Sequence, residues 1–227
     1  MKVLKFGGSS VANPESLSRV IKIIKKNTGQ MVIVFSAFGG VTNLLIEMAE
    51  KASNSNNKYK EHLNTLELIH LKQIEYFISV KQQSSIISFL KSKINELEDV
   101  LESLYTLNEI TPKSLSKVSS FGEILSSTII YYVLKHLKLD VDIKNSSDLL
   151  FTHNVNDREV INNKISAEKA SLFFRNNNSK IIIVPGFIAQ DENGNITTLG
   201  RGGSDYTASL LANYVNANIL EIWTDVS

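Results

Sequence analysis

A chain of 227 residues with 43% apolar and 21% charged side chains is long enough to bury one substantial core or two small ones. Its 24 basic and 23 acidic residues nearly cancel, which leaves no global field to recruit nucleic acid or an anionic membrane. The absence of cysteine removes disulfide frameworks, thiol nucleophiles and thiolate metal sites together.

The chain opens on MKVLKFGGSS, whose lysines interrupt the apolar stretch within a few residues, so neither a signal peptide nor a membrane span is expected there. A cytoplasmic protein is expected. Val3 to Phe6 predicts a short strand. Asn13 followed by Pro14 places a capping side chain before a proline at the first helical position, and Leu17, Val20, Ile21 and Ile24 recur at helical spacing. This predicts a helix from Pro14 to about Lys26. Met31 to Phe35 (MVIVF) and Lys180 to Val184 (KIIIV) are continuous apolar runs, as expected of parallel strands covered on both faces. Thr42 or Asn43 is the expected cap of the next helix.

Residues 53 to 60 (SNSNNKYK) read as a loop, and a long helical insert follows, over about 58 to 108. Ile87, Leu90, Ile94, Leu97, Leu101 and Leu104 alternate spacings of three and four; Leu63, Leu66, Ile69, Ile74 and Phe77 form a looser stripe. The favoured reading is a helical hairpin packed on its own domain, the alternative a subunit interface. Gly122 and Glu123 are expected to open a helix through Ile130 and Leu134, and Ser204 to cap the last one. Val141 to Lys144 and Ile219 to Trp223 complete the strands. The β, α, β, α alternation predicts a layered α/β domain with a mainly parallel sheet.

Four segments could carry chemistry. Lys5-Phe6-Gly7-Gly8-Ser9-Ser10 follows the first strand; its glycines would let backbone N–H groups approach phosphate oxygens beside a lysine, although an ordinary turn with a surface lysine fits equally. Phe35 to Asn43 lies at the carboxyl end of the second strand, where open α/β sheets bind ligands, and its Ser36 and Thr42 suit a polar ligand or a helix cap. Glu123, taken alone, reads as an acid favoured by a helix dipole, or as the counter-ion of a substrate ammonium.

The fourth segment, Thr197 to Asp205, hangs beyond a candidate hairpin with arms Ile188 to Gln190 and Ile196 to Thr198 and an Asn193-Gly194 turn. Gly200, Gly202 and Asp205 nearly mimic a dinucleotide fingerprint. The third glycine is missing and the preceding element is a hairpin arm, so NAD binding is rejected. Arg201 remains as a planar fork suited to a carboxylate or phosphate. No G-x-S-x-G elbow occurs. His62, His70, His136 and His153 lack metal-ligand spacing and read as surface or helix-face residues, so a metal is expected only as Mg²⁺ arriving on a nucleotide.

Together the blocks KFGGSSV (5–11), FSAFGGVTNLL (35–45), FGEILSS (121–127), PGFIA (185–189), TTLGRGGSDYTA (197–208) and IWTDV (222–226) resemble, in order, those of the aspartokinases of the amino-acid kinase family. The helical insert is similar to that of the lysine-sensitive, single-function type. The resemblance implies a three-layer α/β/α amino-acid kinase-like fold, and transfer of the ATP γ-phosphoryl group to the side-chain carboxylate of L-aspartate, the first step of lysine, threonine and methionine biosynthesis. It implies ATP with Mg²⁺, a homodimer when full length, and no nucleic-acid or membrane partner.

By position, Lys5 resembles the lysine that bridges the phosphates, with Gly7, Gly8 and Ser9 as the cradle. Arg201 corresponds to the clamp on the aspartate α-carboxylate and Glu123 to the partner of its α-ammonium. Ser36 and Thr42 match polar substrate-pocket positions, with Phe187 and Ser204 on the rim. Asp205 resembles an acid that organises metal or substrate, and Thr224 and Asp225 match the start of the nucleotide-binding stretch. Aspartokinases continue after TDV with more of the ATP site and then ACT-type regulatory domains, so the resemblance implies that residues 1 to 227 are an incomplete catalytic domain. The competing expectations are another carboxylate kinase, such as one acting on acetylglutamate, and a non-catalytic amino-acid-binding module.

Overall fold

The computed structural model of the chain describes residues 1–156 and 158–224. The backbone enters as strand β1 (Lys2–Phe6), passes a short 3₁₀ turn at Ser9–Val11, and forms helix α1 (Pro14–Lys26) and strand β2 (Met31–Phe35). Four helices follow: α2 (Val41–Ser53), α3 (Tyr59–Phe77), α4 (Ser84–Leu107) and α5 (Pro112–His136). Then come β3 (Val141–Ile143), a hairpin of β4 (Thr152–Val155) and β5 (Arg158–Ile161), and α6 (Asn163–Asn176). Strand β6 (Ile181–Pro185), a second hairpin of β7 (Ile188–Gln190) and β8 (Ile196–Thr198), α7 (Gly203–Tyr214) and β9 (Ile219–Trp223) complete the described chain.

Five strands form one parallel sheet in the order β3-β6-β2-β1-β9. Alternation along each strand sends Leu4, Phe6, Ile33, Phe35, Ile181 and Ile183 into a core shared with α1 to α5, while Val3, Val32, Val34, Ile182 and Val184 face α6 and α7. The central strands are therefore buried on both faces, which is why β2 and β6 are continuous apolar runs. The expected three-layer α/β/α arrangement is what the chain adopts. Among the described residues no helix is long and apolar enough to cross a membrane.

Local chemistry explains most helix ends. Asn13 Oδ1 accepts the Ser16 N–H at 2.8 Å, with Pro14 at the first helical position, as expected. Three expected starts are corrected. Glu123 lies in the middle of α5, because Thr111 and Ser114 form a capping box that starts this helix at Pro112. Thr42 and Asn43 lie inside α2, whose cap is Gly40, and Ser204 lies inside α7, whose cap is Gly202. The loop expected over 53 to 60 is shorter, since α2 runs through Ser53 and α3 begins at Tyr59. Helices α3 and α4 pack on α2 and α5 of their own chain through Leu66, Ile74, Leu90 and Leu97, all fully buried. The β4–β5 hairpin was not expected. Its segments, THNV and REVI, are too short and polar to carry an apolar pattern.

Candidate active site

After β2 the chain leaves towards one face of the sheet, into α2; after β6 it leaves towards the other, through β7 and β8 into α7. A crevice opens between them at the carboxyl ends of the strands, the position at which open α/β sheets bind ligands. It holds a cavity of about 940 Å³. Lys5, Gly8, Ser9, Ser36, Thr42, Glu123, Phe187, Arg201, Ser204 and Asp205 all line it, so residues spread over two hundred positions of sequence meet at one place.

Lys5 reaches this crevice because its parity along β1 matches that of Val3, whose side chain faces α7. Its Nζ lies 2.7 Å from Asp205 Oδ1 in the first turn of α7. The lysine is buried and the aspartate half exposed. The contact is a charge pair rather than an aligned hydrogen bond, since Oδ1 has no hydrogen-bonding donor at good angle. Of the two carboxylates lining the cavity, Asp205 is the one open to an incoming cation.

Glu123 is the other, and only 4% of it is exposed. Burial pushes its carboxyl up to about 7, against the opposing pull of the Ala37 N–H, its own backbone N–H and the charge of Lys5. One oxygen, Oε2, has no hydrogen-bond partner. The loop after β2 lies tight against α5 here: a Cβ on Gly122 would stand 2.8 Å from the Ala37 Cβ, and Ser126 Oγ donates to the Ser36 carbonyl at 2.9 Å. That close approach holds the carboxyl beneath the loop.

Helices α2 and α7 both open on the cavity without a side-chain cap. Their capping glycines, Gly40 at φ 82° and Gly202 at φ 74°, take the left-handed conformation that lets the chain turn sharply into each helix. First-turn N–H groups have no intrahelical acceptor, so two positive helix ends face the same space. Arg201, exposed, stands just before the second.

Two expected nucleotide residues lie beside the cavity rather than on it. The Gly7 N–H donates to the Trp223 carbonyl at 3.2 Å, and the Phe35, Phe6 and Trp223 rings stack in sequence across the sheet at 5.7 and 6.0 Å. Thr224 follows Trp223 and is exposed next to the glycine turn. Asp225 lies outside the described residues.

Sequence reasoning missed a cavity wall. Pro112, Leu115, Ser116 and Ser119 line it along one face of α5 upstream of Glu123, and Ser116 Oγ lies 3.3 Å from Thr198 Oγ1 of β8. Their spacing of three and four was a usable signal, lost because α5 was expected to start ten residues later. His70, expected as a surface or helix-face residue, lies on α3 with its side chain fully buried against the Phe38 ring; burial pushes its imidazole down to about 4, and Nδ1 pairs with the Leu66 carbonyl at 2.7 Å. Among the described residues, no three histidine or acidic side chains gather as a metal site.

A parallel sheet with a ligand crevice between a lysine-bearing glycine turn and two open helix ends is an arrangement suited to an anionic, phosphate-bearing ligand. The chain belongs to the amino acid kinase family, whose model matches residues 1–227. It is 35% identical to the bifunctional aspartokinase/homoserine dehydrogenase of Buchnera aphidicola, over all of this chain and 28% of that protein. It is 29% identical to the lysine-sensitive aspartokinase 3 of Escherichia coli, over 99% of this chain and 49% of that one. The crystal structure of E. coli aspartokinase III in complex with lysine and aspartate superposes with a TM-score of 0.90 at 29% identity, covering all of this chain and 49% of the other. The same enzyme with aspartate and ADP gives 0.89 at 28%. This chain thus spans about half the length of the single-function relative and about a quarter of the fused one.

Proposed function

We propose that this chain is the catalytic part of an aspartate kinase, transferring the γ-phosphoryl group of ATP to the side-chain carboxylate of L-aspartate to give 4-phospho-L-aspartate and ADP. The observation that carries the reading is Glu123, a buried carboxyl with an unpartnered oxygen on the same cavity as Lys5 and Arg201. A free amino acid with two carboxylates needs a negative group for its ammonium and positive ones for its carboxylates. The cavity offers Glu123 for the first and Lys5 and Arg201 for the second, with Asp205 left for a cation, and the likeness to aspartokinases supports the reading.

The chemistry asks little proton transfer of the protein. An aspartate side chain is already ionised at neutral pH, so one of its oxygens attacks the γ-phosphorus directly. The bond from that phosphorus to the β,γ-bridging oxygen breaks, and its electron pair leaves with ADP. Lys5 stabilises charge on the transferring group, with Gly7, Gly8 and Ser9 around the phosphates and the helix ends of α2 and α7 adding N–H donors. Mg²⁺ bound with the nucleotide would neutralise phosphate oxygens, and Asp205 is the cavity carboxylate suited to hold it.

Arg201 clamps the α-carboxylate and Glu123 takes the α-ammonium. Ser36 and Thr42 hydrogen-bond within the pocket, Phe187 and Ser204 form its rim, and Thr224 and Asp225 begin the nucleotide-binding stretch. Residues 1 to 227 are in this reading the N-terminal catalytic domain, with the helical insert at about 58 to 108, of a cytoplasmic homodimer whose regulatory domains lie elsewhere.

The test is ADP release by the full-length protein with L-aspartate, N-acetylaspartate or N-acetylglutamate as acceptor. Acylation removes the ammonium and leaves Glu123 buried without a partner, so aspartate should be preferred in kcat/KM by at least about 100-fold. Faster turnover of N-acetylglutamate contradicts the assignment.

A further inference from the structure

Phe187 is a non-glycine residue in the left-handed region, at φ 69°. It sits at the centre of a three-residue turn in which the Ile188 N–H donates to the Gly186 carbonyl at 2.8 Å. An aromatic side chain holds such a conformation only where its surroundings over-determine it. Here they do, from two elements. The Phe187 carbonyl accepts the Leu199 N–H from the end of β8 at 2.8 Å. Its own N–H donates to Thr207 Oγ1 at 2.9 Å, and the Thr207 hydroxyl donates onward to the Gly203 carbonyl at 2.9 Å.

Thr207 is fully buried and does not line the cavity; its hydroxyl bonds to Phe187 and Gly203, which do. Its hydroxyl therefore uses one donor and one acceptor site to tie the strained turn after β6 to the first turn of α7. The fit around it is close. A Cβ on Gly203 would stand 2.6 Å from Phe187 Cδ2, and one on Gly186 would stand 2.9 Å from Ser204 Cα.

We propose that Thr207 is a positioning residue for phosphoryl transfer, pinning the Phe187 turn to the start of α7 so that Ser204 and Asp205 meet Lys5 in register. The proposal rests on the aspartate-kinase reading of the cavity. It separates Thr207 from a merely structural threonine in one respect. Loss of the hydroxyl should loosen the α7 side of the site, with Asp205, Ser204 and the neighbouring Arg201, and a serine that keeps the hydroxyl should restore it.

The experiment is steady-state kinetics of the full-length protein carrying Thr207→Val, Thr207→Ser or Gly203→Ala, with the folded fraction of each measured by circular dichroism. Thr207→Val should lower kcat by about tenfold or more and raise the aspartate KM, and the ATP KM should rise with it because Asp205 and the α7 helix end also serve the nucleotide. Thr207→Ser keeps both hydrogen bonds and should restore kcat to within about threefold of the parent. Gly203→Ala, which wedges the same contact with the hydroxyl retained, should repeat the kcat loss, and it decides the matter if Thr207→Val does not fold. A Val variant with parental kcat, a Ser variant as impaired as Val, or a Gly203→Ala variant with parental kcat overturns the proposal. A parent protein that forms no ADP with aspartate instead overturns the reading beneath it.

Discussion

A buried carboxyl lacking a full set of partners destabilises the fold whenever it is ionised, and Glu123 is such a group. Its carboxyl is raised to about 7 in the folded chain, above the ordinary value of 4.5 expected on unfolding. Below the unfolded value both states are protonated and the fold bears no penalty. As pH rises towards 7 the unfolded chain ionises first, so the contribution is lost, by a total on the order of 3 kcal/mol above the folded value. Glu123→Gln should therefore raise the Tm at about pH 8, gain much less near about pH 4, and abolish aspartate binding by calorimetry. An unchanged Tm at the higher pH contradicts the buried, under-partnered carboxyl. In the parent, aspartate affinity should fall by up to about tenfold per unit as pH drops below the Glu123 value, because only the carboxylate pairs with an ammonium. Little of this could be seen in the sequence. A glutamate inside a helix is usually solvated, and the burial of Glu123 comes from Gly122, which lets α5 approach Ala37. Lys5 was more legible, since its place at the strand end and its parity follow from the run Val3 to Phe6 alone.

At the scale of elements, the helix starts divide by chemistry. Side-chain caps mark the starts of α1, α5 and α6, at Asn13, Thr111 and Asn162, while α3 and α4 start without one. Helices α2 and α7, which also open on the cavity, begin at left-handed glycines with no side-chain cap; their first N–H groups reach the carbonyls of Phe38 and Gly200, and the rest of the first turn has no side-chain acceptor. Expecting Thr42, Asn43 and Ser204 to be caps failed for this reason: a cap would compete with the ligand for the same donors. The glycine turn after β1 makes a parallel demand. Gly8 has φ −58°, open to any residue, but a Cβ there would stand 2.9 Å from the Ala37 carbonyl oxygen, which is backbone and cannot swing aside. Gly8→Ala should therefore push the β1 turn away from the loop after β2, lowering kcat/KM for ATP by about 10- to 100-fold at a Tm loss of only a few degrees. Parental kcat/KM would show that the two loops need not touch.

For the whole molecule, the parallel sheet was legible because its strands are buried on both faces and so read as unbroken apolar runs. The crevice was legible only as the meeting of four separate glycine-rich or acidic segments, because which strand leaves to which face is decided by packing, not by local propensity. The β7–β8 hairpin could be read from its Asn193-Gly194 turn, whereas β4–β5 offered neither such a turn nor an apolar arm. In the proposed reaction the side-chain carboxylate is the nucleophile and Lys5 the group that stabilises its transition state. Trapping the product of the full-length protein with hydroxylamine tests both at once, since only an acyl phosphate yields a hydroxamate. Aspartyl hydroxamate should form one for one with ADP, at a rate lowered by about 100-fold or more in Lys5→Ala while aspartate still binds. ADP without hydroxamate, or a Lys5→Ala variant that traps product at the parental rate, would contradict this mechanism.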